Sequence, residues 1–501
     1  MAVFVPILFA SLSLIAWRLW KFTIIPWLHP QEPRELPYWV PFLGHTGSYV
    51  SNGHAVLLRA RNYVGSREPF AITLVTRKMY FVVDPEDAAN VYKNTTSFVF
   101  DKVVQSLQRT FGISDETMTA TWKPGYDHAA SGEKIDDHDK ARKLSSKSLG
   151  ELSMDFWRMQ TVGTEGYNDL ETKFSRYINI LLSEQVDRAA SNAGSIRLSH
   201  LTNVVLVGAA LRALFGESLL EMQPDLVETY VAFDTESWKL WFKWPFAKTM
   251  YERKALLENA LKRWVEIPLE RRPGRSFLID TVERTQRGLG TSTSDLAKIM
   301  NLIIFVVNTN TYKVCYWGLA HLFNSPSLLS KIQAELTHPP AGEKSMDLAY
   351  LRNSTPWTSA LFHESLRYYS ASSSIRATSR PAVVRGKTIP AGSVVFLPFR
   401  PQHFDPSIFG DDADSFDPTR FINDKKLCNS PRFRGFSGGS SYCPGRNIAR
   451  MQFTILVTSI LEKYRVQVAK EGVPQTDSKI PTKGMLAPKE GEEVVLEITR
   501  R

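Results

Sequence analysis

The chain has 501 residues, 43% of them hydrophobic and 22% charged, which describes a globular protein with a full core rather than a disordered or fibrous one. Its formal net charge of +10 suits an anionic membrane face or an acidic protein partner. No Cys/His finger, recognition helix or arginine-rich tract points to nucleic acid, and three cysteines (Cys315, Cys428 and Cys443) make no disulfide framework, as expected for a reducing compartment.

Residues 1–27 open on an apolar run without a charged side chain as far as Trp17, followed by Arg18 and Lys21. The run predicts a membrane anchor, extended by snorkelling of Arg18 and Lys21. A cleaved signal peptide fits less well, having neither a basic start nor a small-x-small site, and an interfacial helix is the other alternative. Basic residues after the span place the rest of the chain on the cytosolic side, which gives an endoplasmic-reticulum anchor. Residues 28–45 carry Pro30, Pro33, Pro37 and Pro41, which stiffen a hinge without forming helix. Residues 46–501 follow as one large domain. Phe70–Val75 and Met79–Asp84 are predicted as short strands, and Pro85–Lys93 as a helix with proline near its start. The apolar periodicity from about 170 to 335 is helical, and after Ala371 it shortens to strands and turns. The aromatic and basic segment Trp238–Phe246 suits a membrane interface as well as it suits an ordinary helix end.

The stretch Phe436-Ser-Gly-Gly-Ser-Ser-Tyr-Cys443-Pro-Gly445-Arg446 places one cysteine in a glycine-rich loop ahead of a helix-forming run. Backbone N–H groups of such a turn, and the helix N-terminus, favour an anion, and the thiolate is the metal-binding form of cysteine. One thiolate cannot build a structural zinc or iron–sulfur site, but it can be the axial ligand of a haem iron. The loop resembles the haem-binding segment of the cytochrome P-450 superfamily, aromatic-x-x-Gly-x-x-x-Cys-x-Gly, with Phe436, Gly439, Cys443 and Gly445 in those places. The family often has Arg or His two residues before the cysteine; here it is Ser441, so that contact must come from elsewhere.

Further motifs extend the resemblance. Glu364-Ser-Leu-Arg367 matches the family's Glu-x-x-Arg, and Phe416-Asp-Pro-Thr-Arg420-Phe421 its Phe-x-Pro-x-Arg-Phe, which implies a buried structural network of Glu364, Arg367 and Arg420. Arg376 sits where the family places a propionate-binding arginine. His138 and Arg142, spaced i, i+4, resemble the Trp-x-x-x-Arg of the same cofactor site with His for Trp, and read equally well as a solvated charged helix. Ile303–Trp317 resembles the helix across the distal face of the haem, with Asn310 at the family's acid and Thr311 at its alcohol; a register two residues back, using Asn308 and Thr309, competes. The Asn-Thr pair and Ser441 resemble the sterol-hydroxylase and prostacyclin-synthase-like branch. The implied fold is mainly α with small β-sheets, one large haem-thiolate domain behind the anchor. The implied cofactor is haem b with an axial thiolate, and NADPH acts indirectly through a separate NADPH-cytochrome reductase. The implied activity is a monooxygenase inserting one atom of O2 into a lipophilic substrate such as a sterol, terpenoid or other polycyclic metabolite. A haem-thiolate isomerase or dehydratase working on a peroxide without a reductase, and a non-catalytic haem sensor or carrier, are the alternatives.

Overall fold

The computed structural model describes residues 4–126, 147–162, 165–190, 194–337, 347–479 and 484–501. Helices dominate it, with three small sheets among the described residues. The first helix, α1 (Phe4–Leu19), passes through a π turn at Trp20–Ile24 into Ile25–Leu28. Val5–Leu28 forms 24 residues of mean hydropathy 1.4, long and apolar enough to cross a membrane. At its end Arg18 donates to the Tyr38 carbonyl at 2.7 Å and lies over the Trp39 ring, and Lys21 approaches Glu35 at 3.6 Å. The two cations that end the apolar run thus fold back onto the hinge.

Strand β1 (Arg34–Glu35) starts the largest sheet, and α2 (Thr46–Val64) follows. Next come β2 (Phe70–Leu74) and β3 (Arg77–Phe81), which pair antiparallel through a two-residue turn. Val75 and Thr76 both take positive φ there, a costly choice for β-branched residues, with no glycine to signal it in sequence. The hinge offsets that cost. Thr46 Oγ1 accepts the Val75 N–H at 2.9 Å, and the Phe42 carbonyl accepts the Thr76 N–H at 2.8 Å. α3 (Pro85–Lys93) is N-capped by Asp84, whose carboxylate accepts from the Glu86 and Asp87 N–H groups.

β4 (Phe98–Val99) precedes a long helical stretch. Its main members are α4 (Glu165–Ala190), α5 (Leu226–Glu236), α6 (Lys248–Glu266), α7 (Thr293–Asn308), α8 (Thr311–Phe323) and α9 (Pro356–Tyr369), with β5 (Ser195–Arg197) inserted after α4. After α9 come β6 (Ser373–Thr378), β7 (Ala382–Val384), β8 (Lys387–Ile389) and β9 (Val394–Pro398). The chain closes with α10 (Arg446–Lys463), β10 (Tyr464–Val468) and β11 (Val495–Arg500). The large sheet runs β1-β2-β3-β9-β6-β4; β10-β11-β5 and β7-β8 form the others. Trp317 of α8 is fully buried and stacks on Tyr369 of α9 at 3.8 Å, with its indole N–H on the Leu486 carbonyl at 2.8 Å. That packing locks α8, α9 and the C-terminal segment together around the candidate site.

The segment expected to resemble one long helix is interrupted. α7 ends at Asn308 and α8 begins at Thr311. The backbone ladder reaches the Thr309 N–H on the Phe305 carbonyl and resumes with the Val314 N–H on the Asn310 carbonyl. The aromatic segment also divides: Trp238 and Leu240 are buried, whereas Phe246 is 82% exposed.

Candidate active site

Cys443 lies in the loop between β9 and α10. Its N–H donates to the Phe436 carbonyl at 3.0 Å, closing the loop on itself, and the Phe436 ring packs near Phe362 of α9. Gly439 has φ +62, and a Cβ there would sit 2.8 Å from Tyr92 Cβ, so the loop can press against α3 only with glycine at this position. Gly445 caps α10, and a Cβ on it would lie 3.9 Å from the Cys443 sulfur. Burial pushes the Cys443 thiol up, while the Gly445 and Arg446 N–H groups and the Arg446 charge pull it down. Those groups favour a thiolate once a cation faces it. Cys315 is fully buried in α8, and burial alone raises its thiol.

No group of three or more His, Cys, Asp or Glu side chains that could hold a metal occurs among the described residues. Two guanidinium groups nearby have no carboxylate partner among the described residues. Arg376 is 1% exposed; it donates to Ser374 Oγ at 3.1 Å and the Ile375 carbonyl at 2.8 Å, and also to Ser441 Oγ. Arg434 and Arg376 both lie over the Tyr92 ring, 5.1 and 5.0 Å from its centroid. Burial lowers the pKa of both arginines. The Tyr92 hydroxyl and the Arg434 Nε are buried without a hydrogen-bond partner among the described residues. The buried Arg376 and the half-buried Arg434, next to a single cysteine thiol, match a flat iron ligand that carries two carboxylates. The donor set therefore fits haem. Ser441 itself binds Arg376, and Arg376 and Arg434 share the Tyr92 ring. Arg434 carried no motif in the sequence. His138 and Arg142 lie outside the described residues.

Glu364 and Arg367 are both fully buried in α9. Arg367 holds Glu364 through two bonds of 2.7 Å and donates to the His403, Ala413 and Ser415 carbonyls, each at 2.7 Å. Arg420 Nε stands 3.8 Å from Glu364, and its terminal nitrogens bond the Phe409 and Asp412 carbonyls at 2.7 and 2.6 Å. Burial raises the Glu364 pKa and Arg367 opposes it. Through His403 this network reaches the cysteine loop. The His403 Nδ1 hydrogen donates to the Arg367 carbonyl at 3.1 Å, and Nε2 accepts the Arg434 N–H at 3.2 Å.

At the helix interruption, Thr311 Oγ1 makes only a long 3.4 Å contact with the Val307 carbonyl among the described residues, so the hydroxyl is weakly held. Asn310 Oδ1 accepts the Met485 N–H at 3.1 Å, which leaves the amide nitrogen to orient anything else. Gly484, at φ +81, makes this approach possible: a Cβ there would lie 2.0 Å from Asn310 Oδ1. In the competing register, Asn308 donates to the Ile304 carbonyl at 2.9 Å, and Thr309 donates to Asp234 of α5 at 2.6 Å. One turn earlier Val306, in the last turn of α7, is 49% exposed, and Phe305 meets Phe111, Phe233 and Trp241 at 5.4, 6.4 and 6.3 Å, an aromatic wall.

Residues 174–495 match the sequence model of the family described as Cytochrome P450. A cytochrome P450 monooxygenase of Penicillium oxalicum, poxD, is 26% identical over 472 residues, which cover 90% of each chain. Abscisic acid 8'-hydroxylase 4 of Arabidopsis thaliana is 28% identical over 256 residues, 48% of this chain and 53% of its own. Ent-kaurenoic acid oxidase 1 of the same plant is 28% identical over 190 residues, 36% of this chain and 38% of its own.

Proposed function

The chain belongs to the cytochrome P450 family of haem-dependent monooxygenases, and on that premise we propose that it is membrane-anchored and oxygenates a sterol, terpenoid or other polycyclic lipid. Electrons come from NADPH through a separate reductase. The anchor lies in the endoplasmic-reticulum membrane, with the catalytic part on its cytosolic side. The observation that carries the reading is Thr311, a weakly held hydroxyl at the break of an apolar helix whose preceding turn contributes to an aromatic wall.

When bound, the haem iron supplies the activation of dioxygen. Cys443 Sγ would be its thiolate ligand, held by the Gly445 and Arg446 N–H groups. Arg376 and Arg434 would take its two carboxylates. Phe436 and Gly439 shape the loop side, and Gly445 keeps the space next to the sulfur clear. Thr311 Oγ1 holds and passes a proton on the distal side, with Asn310 Nδ2 orienting the water that resupplies it. Phe111, Phe233, Phe305 and Trp241 exclude water and offer flat apolar faces, which suit a rigid ring system. Two relatives are named for abscisic acid and ent-kaurenoic acid, both isoprenoid, and this supports the terpenoid end of the range. Reconstitution with NADPH, a reductase and a panel of sterols and terpenoids is the test. Oxygenated product that requires both NADPH and reductase is expected. Product from a peroxide without either would move the reading to an isomerase, and no turnover of any compound would favour a carrier.

A further inference from the structure

Asp234 of α5 is fully buried at its side chain and receives three donors, each at 2.6 Å: Thr309 Oγ1, the Tyr312 hydroxyl and Lys313 Nζ. Thr309 ends the ladder of α7; Tyr312 and Lys313 lie in the first turn of α8. One carboxylate from a different helix therefore grips both sides of the interruption. Tyr230, one turn before Asp234, is fully buried with its hydroxyl unpartnered. A buried carboxylate is retained only when its charge is matched, and Lys313, 12% exposed at its side chain, supplies the match. With Thr309, Tyr312 and Lys313 turned to Asp234 and Asn310 turned to Met485, Thr311 is the polar residue of this stretch left with only a weak local contact.

The geometry points to Asp234 as a positioning residue for the distal proton step: by clamping Thr309, Tyr312 and Lys313 it holds the α7–α8 break in the one arrangement that leaves the Thr311 hydroxyl free. The inference rests on the reading of Thr311 as the proton-handling group. It explains how the chain works with Asn310 where the family resemblance puts an acid, because the carboxylate comes from α5 and acts on backbone geometry rather than on the proton itself. Phe233, the neighbour of Asp234, belongs to the aromatic wall, so one turn of α5 shapes both that wall and the break.

The test uses the full-length haem-loaded protein, reduced and bound to carbon monoxide, whose C–O stretching band reports the polar groups near the distal ligand. Thr311→Val should shift this band. The double variant Asp234→Asn with Lys313→Met keeps volume and strands no charge; it should shift or split the band and add nothing further when placed on Thr311→Val. Thr309→Val, which leaves the ion pair intact, should move the band in the same direction by a smaller amount and covers the case of a poorly folding double variant. A band that moves with Thr311→Val but stays in place in the Asp234 and Thr309 variants would overturn the inference alone. A band unmoved by Thr311→Val would remove the reading of Thr311 and the inference with it.

Discussion

At the residue scale, two side chains carry the account. Thr311 is expected to govern how reducing equivalents are used. Thr311→Ala should retain haem and substrate binding, yet lower product formed per NADPH by about tenfold or more, with hydrogen peroxide in its place. Equal yields in wild type and variant would reject the role. His403 joins the Glu364–Arg367 pair to the cysteine loop and must stay neutral to accept the Arg434 N–H. Burial, reinforced by Arg367, lowers its pKa from 6.5 to about 3. A depressed pKa means that the stabilisation is present above 6.5 and is lost as pH falls from there toward 3, at up to about 1.4 kcal/mol per pH unit for this group. His403→Gln should therefore flatten the pH dependence of stability in that window, measured by denaturant unfolding; an unchanged slope would show that His403 does not titrate with unfolding. The sequence displayed Cys443, Phe436, Gly439 and Gly445 because their loop is contiguous, and Glu364 and Arg367 because they share one helical turn. Arg434 and Asp234 were not visible, because their significance comes from the Tyr92 ring and from α8, far away in the chain.

At the element scale, the cysteine loop and α9 are joined through buried polar groups, and the α7–α8 break is held by Asp234 and Met485. Glu364→Ala would leave Arg367 charged and unpaired in the core, at a cost of about 3–5 kcal/mol. Little haem-loaded protein is expected from that variant. Abundant, haem-replete and inactive protein would instead give Glu364 a chemical role. Gly484→Ala would force a left-handed φ on alanine and drive its Cβ into Asn310. It should cost about 1–3 kcal/mol, read as a lower unfolding midpoint, and the loss should shrink when Asn310 is replaced by Ala. The helices and most strands were legible from apolar periodicity. The two departures have local causes that periodicity does not report. The break at Thr309–Asn310 is set by bonds to Asp234 and Met485, which come from other elements. The β2–β3 turn uses two β-branched residues at positive φ because the hinge supplies their partners.

At the scale of the whole molecule, the apolar helix Val5–Leu28 stands apart from a catalytic body whose core is continuous from α4 to β11. Removal of residues 1–27 should move the protein from membrane to supernatant fractions while its haem spectrum stays intact, unless the exposed Phe246 region suffices to hold it there. Loss of haem in that variant would tie the anchor to the fold. The family was legible in the sequence from four motifs in order, whereas the chemistry of the substrate was not, since it depends on which side chains of distant helices meet in the chamber. The central claim is that Cys443 is the thiolate ligand of a haem. The most direct measurement is the absorption spectrum of the reduced carbon-monoxide complex in wild type and Cys443→Ser. The red-shifted Soret band of a thiolate-bound haem is expected in wild type and in Cys315→Ala and Cys428→Ala, and should be absent from Cys443→Ser. A Cys443→Ser protein that kept that band would contradict the account.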